Sequence, residues 1–277
     1  MTSAHRGVDD PLDLLGLEPL ADGLYSGRCI DGALGRIYGG HTIAHTIIAA
    51  AAAGGRRPVT SVHVGFVRPG APEEPVVYRT RIAKAGRSLD IVSVQAEQYG
   101  TTTVLGFAAM HEPESGADVA ETMPAVPGPE GLVPSNRRPA RSHPGVRAPF
   151  DIRYVPPHAA RELEGEAVWI RTRGRVDSTH QPDHAALLAF ATDFLITRAA
   201  HLRMPRSLDF AGASLDHAMW FHRPFRADEW LLVWSRCSSF AGSRSHSTSM
   251  VFNAAGDLVA TAAQEGLLRA AEDAGRR

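Results

Sequence analysis

The chain has 277 residues, 44% of them hydrophobic and 21% charged, with a formal net charge of −1 and a pI near 6.9. That is enough apolar mass for a real core, and two domains of roughly 130 residues each fit the usual domain size. So balanced a charge leaves no electrostatic footprint for nucleic acid or an anionic membrane, and neither is expected as a partner.

The N-terminal stretch MTSAHRGVDDPLDLL is broken by acids and a Pro and lacks the apolar centre of a signal peptide. Cys29 and Cys237 are the only cysteines, which points to a reducing compartment rather than a disulfide framework. No stretch is read as reaching the roughly 18 apolar residues of a membrane span. The C-terminal AEDAGRR carries no peroxisomal address. A cytoplasmic location is expected.

Residues 41–53 are the first long apolar segment, read as an enclosed helix that follows the pair Gly39-Gly40. His41 and His45 lie one turn apart on it and share a face. A metal site needs a third ligand, and the Glu of a His-Glu-x-x-His site is absent, so no metal is expected. Phe66-x-Arg68-Pro69 then reads as a strand end, because proline removes a ladder donor. The run AGRSLDIVSVQAEQYGTTTVLGFAAM reads as strand, glycine turn, strand, with Ile91, Ser93 and Gln95 on one face and Val92, Val94 and Ala96 on the other.

From Pro113 to Pro149 the chain is rich in Pro, Gly, Ser and Arg and has neither period, which marks a linker. The second half then repeats the first. Residues 184–198 are its long apolar segment, Phe221-x-Arg223-Pro224 its strand end, and AGSRSHSTSMVFNAAGDLVATAAQEG its strand pair. The duplication predicts an α+β fold of two repeats, each an antiparallel sheet wrapped around one long central helix, with the two sheets continuing into one. The expected division is 1–113, a linker over 114–149, and 150–277.

Two stretches carry candidate chemistry. LLAFATDFLI, residues 187–196, embeds the single acid Asp193 in an apolar wall, where a charge is costly unless hydrogen-bond donors meet it. DHAMWFHRPF holds Asp216 and His217, but neighbours on a strand point to opposite faces and do not share a site. Its aromatic residues are expected in the core and between the repeats. There is no Gly-x-Ser-x-Gly elbow, and neither cysteine has a histidine beside it in sequence.

The ordered set GRIYGGHTIAH (35–45), SVHVGFVRPG (61–70), TMPAVPGPEGL (122–132), VWIR (168–171), ATDF (191–194), SLDHAMWFHRPFRADEWLL (214–232) and AAQEGLLR (262–269) resembles the acyl-CoA thioesterase II family. The resemblance implies two fused hotdog repeats and hydrolysis of fatty acyl-CoA to free fatty acid and CoA. It implies a catalytic Asp193, Ser214 and Gln264 that hold and activate a water, with no cofactor. His41 stands where the family usually has Gln. Backbone N–H groups at Gly39 and Gly40 are the expected oxyanion donors because glycine allows close approach, with His41 as a pocket contact or as part of a polar pair with His45 at the helix start. Arg68 and Arg223 are the expected contacts to CoA phosphates. A hotdog hydratase or dehydratase and a non-catalytic acyl-CoA-binding protein are the competing readings. Wide sheets with open edges favour a homo-oligomer.

Overall fold

The computed structural model describes residues 10–33, 35–55, 57–135, 144–160, 163–203 and 210–270. The first half opens with a 3-10 turn, Pro11–Leu15, capped by Asp10, whose carboxylate accepts from Leu12 N–H at 2.9 Å. There follow β1 (Glu18–Ala21), β2 (Leu24–Gly27), the small pair β3 (Asp31–Ala33) and β4 (Arg36–Ile37), and the helix α1 (Gly39–Gly54). Strands β5 (Val59–Phe66), β6 (Val76–Ala85), β7 (Leu89–Gln98) and β8 (Thr101–His111) complete it. The second half contains a short helix α2 (Pro144–Arg147), β9 (Phe150–Tyr154), β10 (Glu166–Thr172) and the long helix α3 (Gln181–Arg203). It ends with β11 (Phe210–Ser214), β12 (Asp216–Phe221), β13 (Leu231–Ala241), β14 (Arg244–Asn253) and β15 (Leu258–Ala270).

The predicted alternation holds along β7, where Asp90, Val92, Val94 and Ala96 are buried and Ile91, Ser93 and Gln95 are only partly so. Tyr99 and Gly100 turn the chain from β7 into β8, both with positive φ (51° and 70°), as a two-residue hairpin turn requires. β5 and β12 both stop at the phenylalanine three residues before their proline.

Thirteen strands form one sheet in the order β1-β2-β6-β7-β8-β5-β12-β15-β14-β13-β10-β9, with β11 also paired to β15. The seam between the repeats is the antiparallel pair β5 and β12, in which His63 faces Ala218. Each half-sheet packs on its own helix, and α1 and α3 pack on each other. Ile43 and Ile47 on α1 and Leu187, Leu188, Phe190 and Ile196 on α3 are fully buried. This is the double hotdog architecture.

Two expectations change. An 18-residue window of α3 has a mean hydropathy of 1.3 and at most two charged residues, so the chain does contain a helix long and apolar enough to cross a membrane. Because 72% of that window is buried inside the protein, its apolar character is explained by enclosure in the core. The Pro-rich segment is also more than a tether. Trp169 Nε1 donates to Pro127 O at 2.8 Å, and Arg153 donates to the carbonyls of Pro129 and Leu132. Met123, Val126 and Leu132 pack against a second apolar cluster that contains Trp169, Leu232 and Phe252.

Candidate active site

Asp193 lies at mid-helix in α3, buried, and its carboxylate points at the first turn of α1. Gly40 N–H donates to Oδ2 at 2.7 Å. The residue before α1, Tyr38, makes no side-chain cap. Asp193 therefore does from another helix what an N-cap residue does locally, and its charge meets the positive end of the helix dipole. Glycine at 40 is a steric requirement, since a Cβ there would sit 2.4 Å from Phe190 O.

β11 and β15 deliver two more groups to the same carboxylate. Ser214 Oγ lies 3.2 Å and Gln264 Nε2 3.1 Å from Oδ1. Gln264 Nε2 is also 2.7 Å from Ser214 Oγ and 3.1 Å from Thr197 Oγ1. Asp193 and Gln264 are buried, while Ser214 and Gly39 are only partly so, which puts the accessible side of the cluster at those two residues. A carboxylate has about four acceptor sites. Donors from Gly40, Ser214 and Gln264 face three of them and leave room for one more.

Two residues that the sequence reading did not assign to the site belong to this cluster. His217, fully buried on β12, has Nδ1 2.6 Å from Gln264 Oε1 and Nε2 3.2 Å from Thr192 Oγ1. Burial pushes the His217 imidazole below its usual 6.5, against the opposing pull of Asp193, the Gln264 hydrogen bond and Asp216. Tyr38 donates from its hydroxyl to Phe190 O at 2.7 Å and accepts from Phe194 N–H at 3.0 Å. It thus intervenes where a regular helix joins Phe194 N–H to Phe190 O directly. Burial, then the charge of Asp193, raises the Tyr38 phenol well above its usual 10, so it stays protonated.

The other expected site residues divide. Gly40 gives its N–H to Asp193, so of the glycine pair only Gly39 has an N–H available to an incoming group. A Cβ at Gly39 would lie 3.0 Å from Asp193 Oδ2 and 3.1 Å from Phe66 Cζ, so its absence leaves space beside the acid. His41 is turned away from the site. Its Nδ1 accepts from Ile30 N–H at 3.0 Å and its Nε2 donates to Leu14 O at 2.7 Å.

Arg68 follows β5 at the active end, where Phe66 N–H donates to Leu215 O, next to Ser214. It is exposed, with one long contact to Thr102 O at 3.4 Å. Arg223 does not share that position. β12 runs antiparallel to β5 and carries it roughly 20 Å away along six residues. There Arg223 donates to Leu258 O at 2.6 Å and pairs with Asp118. An open groove of about 590 Å³ lies at that end, lined in part by Asp118, His222 and Arg223 and by none of the Asp193 cluster.

The third ligand missing from the His41–His45 pair is supplied in space by Cys29, and the three candidate ligand atoms lie within 4.8 Å of one another. They are engaged with protein groups. His45 Nε2 donates to Leu14 O at 3.1 Å, and its Nδ1 faces Tyr78 OH at 3.1 Å and Cys29 Sγ at 3.7 Å. Burial pushes the Cys29 thiol up to about 12 and His41 down to about 4. The trio is thus held neutral, and a metal would have to break these bonds and deprotonate the thiol.

The duplication does not duplicate the site. Through the paired registers of β5, β8, β12 and β15, Val59 matches Ser214, Val62 matches His217 and Ala108 matches Gln264. All three counterparts are buried and apolar, and α1 contains no acid.

Comparison with known proteins agrees in both halves. Residues 31–111 match the acyl-CoA thioesterase N-terminal domain and residues 122–268 the acyl-CoA thioesterase C-terminal domain. The chain is 30% identical to human acyl-coenzyme A thioesterase 8 over 280 residues, covering 92% of this chain and 88% of that protein. It is 30% identical to acyl-CoA thioesterase 2 of Haemophilus influenzae over 286 residues, covering 96% and 99%. The crystal structure of an acyl-CoA thioesterase II, TesB2, from Mycobacterium marinum superposes with a TM-score of 0.83 at 30% identity, over 95% of this chain and 99% of that one. A duplicated fold with a single polar cluster, matched in each half by the corresponding domain, makes this chain a member of the acyl-CoA thioesterase family.

Proposed function

We propose that this protein hydrolyses fatty acyl-CoA to free fatty acid and CoA, with Asp193 as general base toward a water held at the site. The observation that carries the reading is the meeting of Asp193, Ser214 and Gln264 at the N-terminus of α1, within 3.2 Å of one another. A thioester is already activated toward attack, so the protein must supply a base, an oxyanion donor and a fixed geometry rather than a covalent nucleophile. The water donates to the remaining acceptor site of Asp193, and its oxygen attacks the thioester carbonyl carbon as its proton passes to the carboxylate. The carbonyl oxygen takes the negative charge and is met by Gly39 N–H at the positive end of α1. Collapse breaks the C–S bond, and the sulfur leaves with the proton that Asp193 took. In this reading Arg68, exposed beyond the end of β5 nearest Ser214, is the contact to a CoA phosphate.

Free-thiol release from a chain-length panel of acyl-CoA esters tests this directly. Asp193→Asn should lower kcat by roughly 10²–10⁴-fold, the scale of a lost general base. It should leave the fold intact, because Asn caps a helix about as well as Asp. Near-normal turnover in that variant would remove Asp193 from the mechanism.

A further inference from the structure

The amide of Gln264 can face the site in two ways. One puts Nε2–H on Ser214 and Asp193. The other puts Oε1 there, an acceptor against a carboxylate, with no hydrogen to offer. The neighbours Ala262 and Ala263 on β15 have no polar side chain with which to choose.

Asp193 Oδ1 and Thr197 Oγ1, each 3.1 Å from Nε2, favour the first arrangement from the site side, and the group that holds the other end of the amide comes from β12. Oε1 can only accept, so His217 Nδ1, 2.6 Å away, must be the donor. Neutral His217 then carries no hydrogen on Nε2, which lies 3.2 Å from the Thr192 hydroxyl, itself 3.0 Å from Ala189 O. With that tautomer the donors run one way: His217 Nδ1–H to Gln264 Oε1, Gln264 Nε2–H to Ser214 Oγ, Ser214 Oγ–H to Asp193 Oδ1. The adjacent Asp216 is engaged on the outer face, accepting from Glu265 N–H at 2.7 Å. The first repeat supplies an independent observation. Where Ala108 replaces the glutamine there is no amide to orient, and Val62 replaces the histidine.

We propose, resting on the hydrolytic reading of the site, that His217 is a positioning residue that fixes the Gln264 amide and, through it, aims the Ser214 proton at Asp193. Asp193 is thereby kept as an acceptor with one site open to the water.

Asparagine and glutamine separate this role from simple packing, because Asn places its NH₂ near Nδ1 of histidine and Gln places it near Nε2. His217→Gln should lower kcat roughly 10–100-fold, the range for losing a hydrogen bond behind a functional ligand, with KM near wild type. His217→Asn should stay within a few-fold of wild type. In a Gln264→Ala background, His217→Gln should cost nothing further, since its partner is gone. The proposal is overturned if Asn is as damaging as Gln, if the loss falls on KM, or if the two substitutions add. Long-range nitrogen–proton NMR of the wild-type imidazole needs no active variant: the Nδ1–H tautomer is expected, and an Nε2–H tautomer refutes the proposal. A wild-type protein that releases no thiol from any acyl-CoA would instead sink the hydrolase reading, while the tautomer would still judge His217.

Discussion

Asp193 carries two burdens with one carboxylate. It caps α1 through Gly40 and gathers Ser214 and Gln264, so the cost of burying it is offset by donors from three different elements. That an acid inside LLAFATDFLI needs partners was legible in the sequence. Which partners it finds was legible only through the family resemblance, because the three residues span some seventy positions. The alternation rule correctly sent Asp216 and His217 to opposite faces, but it could not say what the inward histidine would touch. Of the two roles expected for His41, a pocket contact or half of a polar pair at the helix start, its buried bonds to Ile30 N–H and Leu14 O fit the second. That burial has a consequence in acid. The unfolded chain protonates His41 near 6.5 and the folded chain only near 4, so between those values the unfolded state binds more protons and stability falls as pH falls. The loss through His41 alone is about 3 kcal/mol, and His45, also lowered by burial, adds in the same direction. Urea midpoints compared at about pH 7 and about pH 5 should show a smaller drop for His41→Gln than for wild type. An equal drop would clear His41 as the source.

At the scale of elements, the site is a junction of two helix segments. The first turn of α1 lacks a local cap, and beside Asp193 the Tyr38 hydroxyl bonds both Phe190 O and Phe194 N–H of α3. A hydroxyl that bonds both groups of one i→i−4 step competes with the helix's own hydrogen bond there. Tyr38→Phe leaves Phe194 N–H and Phe190 O to bond each other alone and removes the hydroxyl's hold on the turn that carries Asp193. We expect kcat to fall with little change in melting temperature, because the two backbone groups repair each other. Unchanged turnover with a lowered melting temperature would make the hydroxyl purely structural. No periodicity reveals this contact, since it joins positions 38 and 190 across the helix interface. The different positions of Arg68 and Arg223 belong to this scale too. The antiparallel pairing of β5 and β12 carries the two identical motifs to opposite ends of the seam, and the Asp193 cluster lies at only one of those ends.

For the whole molecule, the two-repeat architecture brings asymmetry as its functional feature. Each repeat encloses a helix, but Val59, Val62 and Ala108 occupy the positions of Ser214, His217 and Gln264. A non-hydrolysable thioether analogue of acyl-CoA should therefore titrate one site per chain, and two equal sites would contradict the assignment of all the chemistry to the Asp193 cluster. Hydrophobic period, proline stops and internal repetition were enough to determine two enclosed helices, paired strands and a duplicated sheet, because those follow from local geometry and the need to bury apolar faces. The packing of the Pro-rich segment on the second sheet, the direction of Arg223, the inward meeting of His217 with Gln264 and the capping of α1 by Asp193 were decided only in the tertiary structure. Each depends on which distant groups approach within hydrogen-bond distance, and no property of a single segment contains that information.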